Sequence, residues 1–306
     1  MPLMRDLVFW LSTKKAFTGP IARTGMRLGF AKRFIAGETL EDGLRAAAEL
    51  NAKGLKVIMN RLGENVTDRR EAEESAACYR EILQELTRRK IDGSTSIKPT
   101  QLGLDFAPDL CRELTLSVVR EAAALNNFVE IDMESSAYTQ GTVELFEAVR
   151  RQHENVGLAV QSYLYRSEAD LKRLLPLHPK IRLVKGAYRE PSSIAFPKKK
   201  GVDENFGKLM RMLFSDGFIP AIATHDEKML VLAKEIARVK NWTNDRWEFQ
   251  MIFGVARNLQ EQLVREGYRM RVYIPYGTEW LPYFMRRLSE RPANLWFVVK
   301  SILKGG

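Results

Sequence analysis

A pattern with clear chemical potential lies near the C-terminal end of this 306-residue sequence. Arg286 and Arg287 stand side by side, Tyr283 precedes them by about one helical turn, and Glu290 follows by the same interval. This spacing places all four side chains on one face of a helix. Two adjacent guanidinium groups offer forked donors that match a carboxylate, and Glu290 can orient an arginine or receive an ammonium. An exposed helix with ordinary ion pairs would show the same spacing, so the assignment depends on the surrounding elements.

Further polar side chains stand in or directly after short apolar runs along the chain. They are Asn60, Lys98, Asp132, Glu134, Gln161, Lys185, Thr224, His225, Gln250 and Tyr273. A polar group buried without a partner costs free energy, so a packed interior would hold few of them. One such residue could simply begin a loop. A set drawn from every run predicts a site for a polar ligand.

Strand-like runs alternate with amphipathic stretches from about residue 55 onward. The runs are Leu55–Asn60, Ser94–Lys98, Phe128–Met133, Leu158–Gln161, Ile181–Lys185, Ile219–Thr224, Phe249–Phe253 and Arg271–Ile274. The helical stretches are Arg70–Arg89, Leu110–Leu125, Gly141–His153, Ser167–Leu175, Asp203–Asp216, Lys228–Val239, Leu259–Glu266 and Thr278–Glu290. Such alternation predicts parallel strands, and eight units in roughly 250 residues predict an α/β fold of the closed (β/α)8 type. No G-x-G-x-x-G fingerprint follows any run, which argues against a Rossmann domain.

The segment before the first strand is predicted to be helical. Helical periodicity covers about the first 35 residues and returns over Leu40–Lys53. We therefore expect residues 1–53 to form an N-terminal helical arm and residues 54–306 to form the catalytic barrel, within a single domain overall.

Composition narrows the class of protein. Hydrophobic residues make up 45% and charged residues 28%, as in soluble globular proteins, and no apolar stretch reaches the ~20 residues of a membrane span. We expect Cys78 and Cys111 to be free buried thiols in a reducing cytoplasm. The three histidines form no cluster that could bind a metal, so no metal site is predicted.

The net charge of +10 leaves two interpretations open. The lysines and arginines are scattered among acidic residues, and the dense run Lys198–Lys200 falls in a loop-like stretch without interleaved aromatic residues. This distribution argues against nucleic-acid binding. It is compatible with contact to an anionic membrane surface or with an ordinary solvated surface.

The motifs together closely resemble those of the proline dehydrogenase family. They are Ser96-Ile-Lys98-Pro-Thr, Glu130-Ile-Asp132-Met, Val160-Gln161-Ser-Tyr163, Arg182-Leu-Val-Lys185-Gly186-Ala187-Tyr188, Ala223-Thr224-His225, Glu248-Phe-Gln250, and Tyr273-x-Pro-x-Gly277 followed by Arg286-Arg287-Leu-x-Glu290. Each motif alone is weak evidence, but the motifs occur in the family's order and involve every predicted strand after the first. The resemblance implies FAD-dependent oxidation of L-proline to Δ1-pyrroline-5-carboxylate, the first step of proline breakdown to glutamate, with electrons passed to a membrane quinone.

The resemblance also implies which residues bind the substrate. Arg286 and Arg287 would bind the proline carboxylate, and Lys98 and Glu290 would complete the polar end of the pocket. The pyrrolidine ring would pack against Tyr273 and Tyr283, although either tyrosine could instead belong to the packing of the barrel mouth. From the cysteines, the net charge and the missing membrane span, we expect a cytoplasmic protein that can attach peripherally to the inner face of the cell membrane.

On the cofactor side, the resemblance implies that Asp132 and Arg182 are charged active-site residues near the flavin. A fixed cation there would stabilise the negative charge that arrives with the hydride. A purely structural ion pair is the alternative for these two residues. The positions that would line FAD are Met133, Gln161, Arg182, Val184, Lys185, Gly186, Ala187, Thr224 and His225.

Two features depart from the bifunctional members of the family. Arg189 stands where those proteins carry an aromatic residue after Gly-Ala-Tyr, and the length leaves no room for their aldehyde dehydrogenase domain. We therefore expect a monofunctional enzyme. The rival hypotheses are another flavin barrel, such as a relative of methylenetetrahydrofolate reductase, and a basic nucleic-acid-binding barrel without catalysis.

Replacing Arg286 or Arg287 by Met should strongly raise the KM for proline. Loss of one charge-assisted partner of a desolvated carboxylate costs roughly 2–5 kcal/mol, which lowers kcat/KM by about 30-fold to several thousand-fold. FAD content should stay near that of the wild type. If both variants keep kcat/KM within about threefold of wild type, the arginines belong to an exposed helix face, where such pairs contribute about 0.3–0.5 kcal/mol.

Overall fold

A computed structural model of the protein describes residues 33–215 and 217–283. Eight parallel strands close into a barrel in chain order, and β8 completes it by pairing with β1. The strands are β1 (Lys56–Arg61), β2 (Gly93–Ile97), β3 (Val129–Ile131), β4 (Val156–Gln161), β5 (Lys180–Val184), β6 (Ile219–Ala223), β7 (Glu248–Ile252) and β8 (Met270–Tyr276). Each predicted strand matches an observed strand to within two residues at either end, so the predicted fold class is confirmed.

Helices follow the strands around the outside of the barrel. They are α1 (Leu40–Asn51), α2 (Arg69–Arg88), α3 (Pro108–Ala124), α4 (Ser136–Arg150), α5 (Ser167–Leu174), α6 (Lys199–Leu213), α7 (Glu227–Val239) and α8 (Arg257–Arg265). Residues 280–283 begin a further helix. The remainder of the predicted helix Thr278–Glu290 lies outside the described residues, as do the N-terminal helical prediction up to residue 32 and Asp216.

Two helices begin at least one turn earlier than predicted. The predicted helix Gly141–His153 begins at Ser136, because Gly141 lies within the helix and faces Leu104 instead of interrupting it. The predicted helix Asp203–Asp216 begins at Lys199, so the prediction of a loop-like Lys198–Lys200 was wrong for Lys199 and Lys200. These two lysines form i, i+4 ion pairs with Asp203 and Glu204, which favour continuation of the helix.

Helix α1 packs against β1 and β8, the two strands whose pairing closes the barrel. Its first turn carries a capping box, in which Thr39 accepts a hydrogen bond from the Asp42 amide and Asp42 accepts one from the Thr39 amide. The helix packs on β1 and β8, where Gly43 allows close approach to Met59 and Tyr276. The division into an arm of residues 1–53 and a barrel of residues 54–306 remains a prediction.

The barrel has an apolar outer layer and a charged interior. Leucine, isoleucine, valine and phenylalanine side chains fill the space between strands and helices. Gln250 on β7 donates a hydrogen bond to Glu130 on β3, and these strands are not neighbours, so the contact crosses the interior. Apart from the residues left undescribed, the chain contains no helix both long and apolar enough to cross a lipid bilayer.

Candidate active site

A cavity of about 630 Å³ lies at the mouth of the barrel, where the strands end. The predicted site residues that line it are Lys98, Asp132, Met133, Gln161, Arg182, Val184, Lys185, Gly186, Ala187, Thr224, His225, Tyr273 and Tyr283. Within the described part of the chain, the structure thus brings together every residue that the family resemblance assigned to the site, whereas Asn60 and Glu134 of the wider polar set do not line the cavity. Arg286, Arg287 and Glu290 lie outside the described residues.

The carboxylate of Asp132 connects the charged groups at the base of the cavity. Its Oδ2 accepts hydrogen bonds from Lys98 Nζ and from the Tyr273 hydroxyl, each at 2.7 Å. Its Oδ1 accepts one from Arg182 at 2.8 Å and one from the Ser96 hydroxyl. These donors come from β2, from the residue that follows it, from β5 and from β8. Four donors fix the position of one carboxylate, and through it the positions of both cations.

Burial and mutual attraction set the protonation states of this cluster. Burial alone would raise the pKa of Asp132, but Lys98 and Arg182 hold that pKa well below its usual range. Burial would likewise lower the pKa of Lys98, yet Asp132 raises it well above the usual value. Asp132 is therefore ionised and Lys98 is an ammonium group across the physiological pH range.

Tyr273 has a polar and an aromatic role in the same place. Its hydroxyl donates to Asp132, and the Arg182 guanidinium carbon lies 5.5 Å from the centre of its ring. Arg182 also donates from Nε to Glu130 at 2.5 Å. A ring fixed at both its edge and its face presents a rigid wall to the cavity. The possibility that Tyr273 is only packing at the barrel mouth does not account for its bond to Asp132.

A second set of buried charges lies below this cluster, and the sequence-based reasoning did not identify it as a layer. Lys180 pairs with Glu130 at 3.0 Å and with Glu248 at 2.8 Å, and Arg271 pairs with Glu248 at 2.9 Å. The sequence did contain a signal for this layer. Lys180 and Arg271 each precede a predicted site residue by two positions on the same strand, which places both side chains on the same face.

The far end of the cavity combines backbone freedom with an ion-pair cluster. Gly186 has a φ of +119°, and a β-carbon there would overlap the ring of Tyr163, so only glycine fits without strain. Lys185 Nζ pairs with Asp203 at 2.6 Å and with Asp226 at 2.7 Å. Lys199 contacts the same two carboxylates, which joins the start of α6 to the turn after β6.

His225 has a defined hydrogen-bonding role at this end of the cavity. Its Nε2 accepts a hydrogen bond from the Ile252 amide at 3.0 Å, so Nδ1 carries the proton of the neutral ring. Gln161 donates from its side chain to the backbone carbonyl of Glu134 at 2.8 Å. Both side chains are therefore held in one orientation where they line the cavity.

Other lining residues were not predicted. The turn after β7 enters the mouth because Gly254 and Ala256 both adopt positive φ angles, +74° and +52°. Tyr188 was present in the recognised motifs without an assigned role, whereas Gln250, which also lines the cavity, belonged to the predicted polar set. The remaining unpredicted lining residues are Arg33, Phe34, Ala159, Lys199, Ala223, Asp226, Met251, Ile252 and Val255. Loop shape brings most of these residues together, and no local pattern predicts that shape.

Glu134 is a buried acid beside the cavity. Its carboxylate accepts hydrogen bonds from the Thr100 amide at 2.9 Å and from the Thr100 hydroxyl at 2.6 Å. Burial nevertheless raises the pKa of Glu134 to about 7 from an ordinary value of 4.5, although Lys98 and Thr100 oppose this shift. Between these two values the folded protein retains a proton that the unfolded chain releases. The contribution of Glu134 to stability is therefore lost as the pH rises through this window.

Replacing Glu134 by Gln should make unfolding less dependent on pH. Wild-type protein should lose roughly 3 kcal/mol of unfolding free energy through Glu134 between pH 4.5 and 8, at about 1.4 kcal/mol per pKa unit. E134Q should lack this loss. In urea titrations, its unfolding free energy should therefore increase relative to that of the wild type between pH 4.5 and pH 8. E49Q, on the exposed face of α1, provides the control. Parallel pH profiles for E134Q and wild type would contradict the ionisation of Glu134 in this range.

Known proteins share both the sequence and the barrel. The family model described as "Proline dehydrogenase" matches residues 43–300. Proline dehydrogenase 2 of Bacillus subtilis strain 168 is 39% identical over 303 residues, which cover 99% of each chain. Proline dehydrogenase of Deinococcus radiodurans is 36% identical over 280 residues, which cover 90% of each chain.

Solved structures agree at the level of the fold. Proline utilization A from Bdellovibrio bacteriovorus, inactivated by N-propargylglycine, superposes with a TM-score of 0.80 at 24% identity. The match covers 85% of this chain and 32% of that chain. Identities of 39% and 36% over 99% and 90% of the chain, together with the shared barrel, confirm the resemblance inferred from the motifs. The chain belongs to the proline dehydrogenase family.

Proposed function

We propose that this protein is an FAD-dependent enzyme that oxidises L-proline to Δ1-pyrroline-5-carboxylate, the first step of proline breakdown to glutamate. The main support is the fixed cluster of Lys98, Asp132, Arg182 and Tyr273 at the base of the mouth cavity. It supplies one ammonium, one guanidinium and an aromatic wall within a space of ligand size. Membership of the proline dehydrogenase family identifies the substrate class.

The residues present fit a bound flavin. Gly186 provides backbone without a side chain where a β-carbon would be strained, and apolar residues such as Met133 and Val184 line the cavity together with polar groups. FAD would supply the hydride acceptor for the reaction. The residues that would hold it are Met133, Gln161, Arg182, Val184, Lys185, Gly186, Ala187, Thr224 and His225.

Arg182 provides the electrostatic part of the proposed reaction. It is 6% exposed, and its carboxylate partners also hold its pKa above the ordinary value, so it remains a cation. A fixed cation in a water-excluding site stabilises negative charge without having to reorganise as that charge arrives. Asp132 and Glu130 hold the guanidinium in place, which is the condition for that effect.

Lys98 provides a second cation for the substrate carboxylate, together with the arginine pair. We propose that Arg286 and Arg287 bind this carboxylate and that Glu290 orients them or meets the ammonium of proline. Tyr273 and Tyr283 would contact the pyrrolidine ring and fix its orientation. Because Lys98 is itself protonated, it cannot be the group that accepts the ammonium proton of proline.

The electrons would leave through a membrane quinone. The net charge of +10 is compatible with reversible attachment to the anionic inner face of the cell membrane, where such an acceptor resides. We therefore propose a cytoplasmic enzyme with peripheral membrane contact and no nucleic-acid partner.

The purified protein should be yellow and should lose its flavin absorbance near ~450 nm when L-proline is added without oxygen, since the cofactor performs the oxidation. The cofactor released by denaturation should be FAD, and a nicotinamide should be absent. D-proline provides the control, because it presents its carboxylate on the opposite face of the ring. Protein that remains colourless after incubation with FAD would rule out the proposal.

Proline should be preferred over trans-4-hydroxyproline, because in the proposed binding mode a ring hydroxyl would meet the fixed Tyr273 ring. Replacement of Tyr273 by Ser should lower the ratio of kcat/KM for proline to kcat/KM for trans-4-hydroxyproline about tenfold. This change lies within the roughly 10- to 200-fold effect that pocket shape has on specificity. Y273F retains the ring but loses the bond to Asp132, so it should keep the preference. Equal kcat/KM for both substrates in the wild type would contradict this role.

A further inference from the structure

Arg182 lies between two carboxylates that come from the same strand. Glu130 and Asp132 stand two positions apart on and directly after β3, so both side chains face the barrel interior. Glu130 accepts a hydrogen bond from Arg182 Nε at 2.5 Å, and Asp132 accepts one from a terminal nitrogen at 2.8 Å. The other terminal nitrogen donates to the Ser96 hydroxyl at 2.9 Å. All three nitrogens of the guanidinium are thereby oriented.

The carboxylate of Glu130 is itself held by the second set of buried charges, which lies below the Asp132 cluster. Its second oxygen accepts from Lys180 at 3.0 Å and from Gln250 at 3.1 Å. Both donors also bond Glu248, which Arg271 fixes in turn. Glu130 is 1% exposed, so water cannot replace any of these partners. The lower layer thus anchors the carboxylate that holds Arg182.

Burial of this layer of charges costs desolvation free energy. Ionised groups lose hydration worth several kcal/mol each inside a protein, and apolar side chains of similar size often replace buried ion pairs without loss of stability. Stability alone therefore gives a weak reason for its presence. Lys180, Glu248 and Arg271 do not line the cavity, whereas Arg182 and Gln250 do, and the layer reaches Arg182 through Glu130.

We propose that Glu130 is a positioning residue, which fixes the guanidinium plane of Arg182 so that its cationic face is preorganised toward the cavity. The proposal rests on the function proposed above, because it assumes that a group which gains negative charge occupies that cavity. The property that matters here is reach, which is the distance from the backbone of β3 to which the side chain extends its oxygen atoms. Burial alone would raise the pKa of Glu130, but Arg182 and Lys180 lower it, so its carboxylate is ionised in the folded protein.

Two conservative variants separate reach from charge. E130D keeps the negative charge but withdraws the carboxylate by one methylene, so it should no longer hold Nε. E130Q removes the charge but keeps an oxygen at the same reach. E248D is the matched control, because it withdraws a carboxylate in the same layer that does not contact Arg182.

The measurement is the reduction midpoint potential of the flavin bound to each holoenzyme, with thermal unfolding as a check of folding. In E130D the ratio of reduced to oxidised flavin at a fixed potential should fall about tenfold, or ~30 mV for a two-electron couple. E130Q and E248D should stay within about threefold of wild type. If E130D does not fold, E130N has the same reduced reach and is compared with E130Q at equal charge.

Other results would overturn the proposal. A shift in E130Q without one in E130D would show that charge matters and reach does not. Equal shifts in E130D and E248D would show a general structural effect, and no shift in any variant would remove the role altogether. These failures differ from failure of the proposed function, in which wild-type protein itself binds no flavin or is not reduced by proline.

Discussion

The site depends on one buried carboxylate that four donors saturate. Asp132 joins Ser96, Lys98, Arg182 and Tyr273, which come from three separate segments of the chain. No short segment could bring these groups together. Closure of the barrel does so, because the C-terminal ends of its parallel strands converge on one mouth. The fold and the site are connected through this single group.

Charge in the barrel interior is nearly balanced. Within the described part of this cluster, Lys98, Lys180, Arg182 and Arg271 face the carboxylates of Glu130, Asp132 and Glu248. One positive charge is left over. Such an excess in a low-dielectric space favours an anionic ligand or a group that gains negative charge during reaction. The electrostatics therefore agree with the chemistry of the family to which the chain belongs.

The two ends of the cavity are built in different ways. Residues in or directly after the strands, with fixed hydrogen bonds, form the base, whereas loop residues around Gly186 and Gly254 form the far end. Rigid elements suit the groups that must be positioned closely for reaction. Glycine-containing turns suit the close approach of an extended ligand to the backbone. This division is consistent with a reacting centre at the base and cofactor binding toward the loops.

Local periodicity in the sequence was sufficient for the eight strands and for the fold class. It also indicated residues such as Lys98, Asp132 and Gln161, because packing alone seldom requires a polar side chain at the end of an apolar strand. The family assignment and the expectation of FAD came from ordered motifs rather than from physical reasoning about single residues.

Tertiary structure alone decided which of these side chains meet. Gln250 bonds Glu130 across 120 positions of sequence, and Arg182 lies between Glu130 and Asp132 only because the barrel closes around them. The loop residues of the cavity were missed for the same reason, as was the pairing within the lower charge layer, although the positions of Lys180 and Arg271 on their strands were a local signal for that layer. Hydrophobic periodicity is a property of neighbours along the chain, whereas pairing across a barrel interior is set by strand register and closure, which no local window contains.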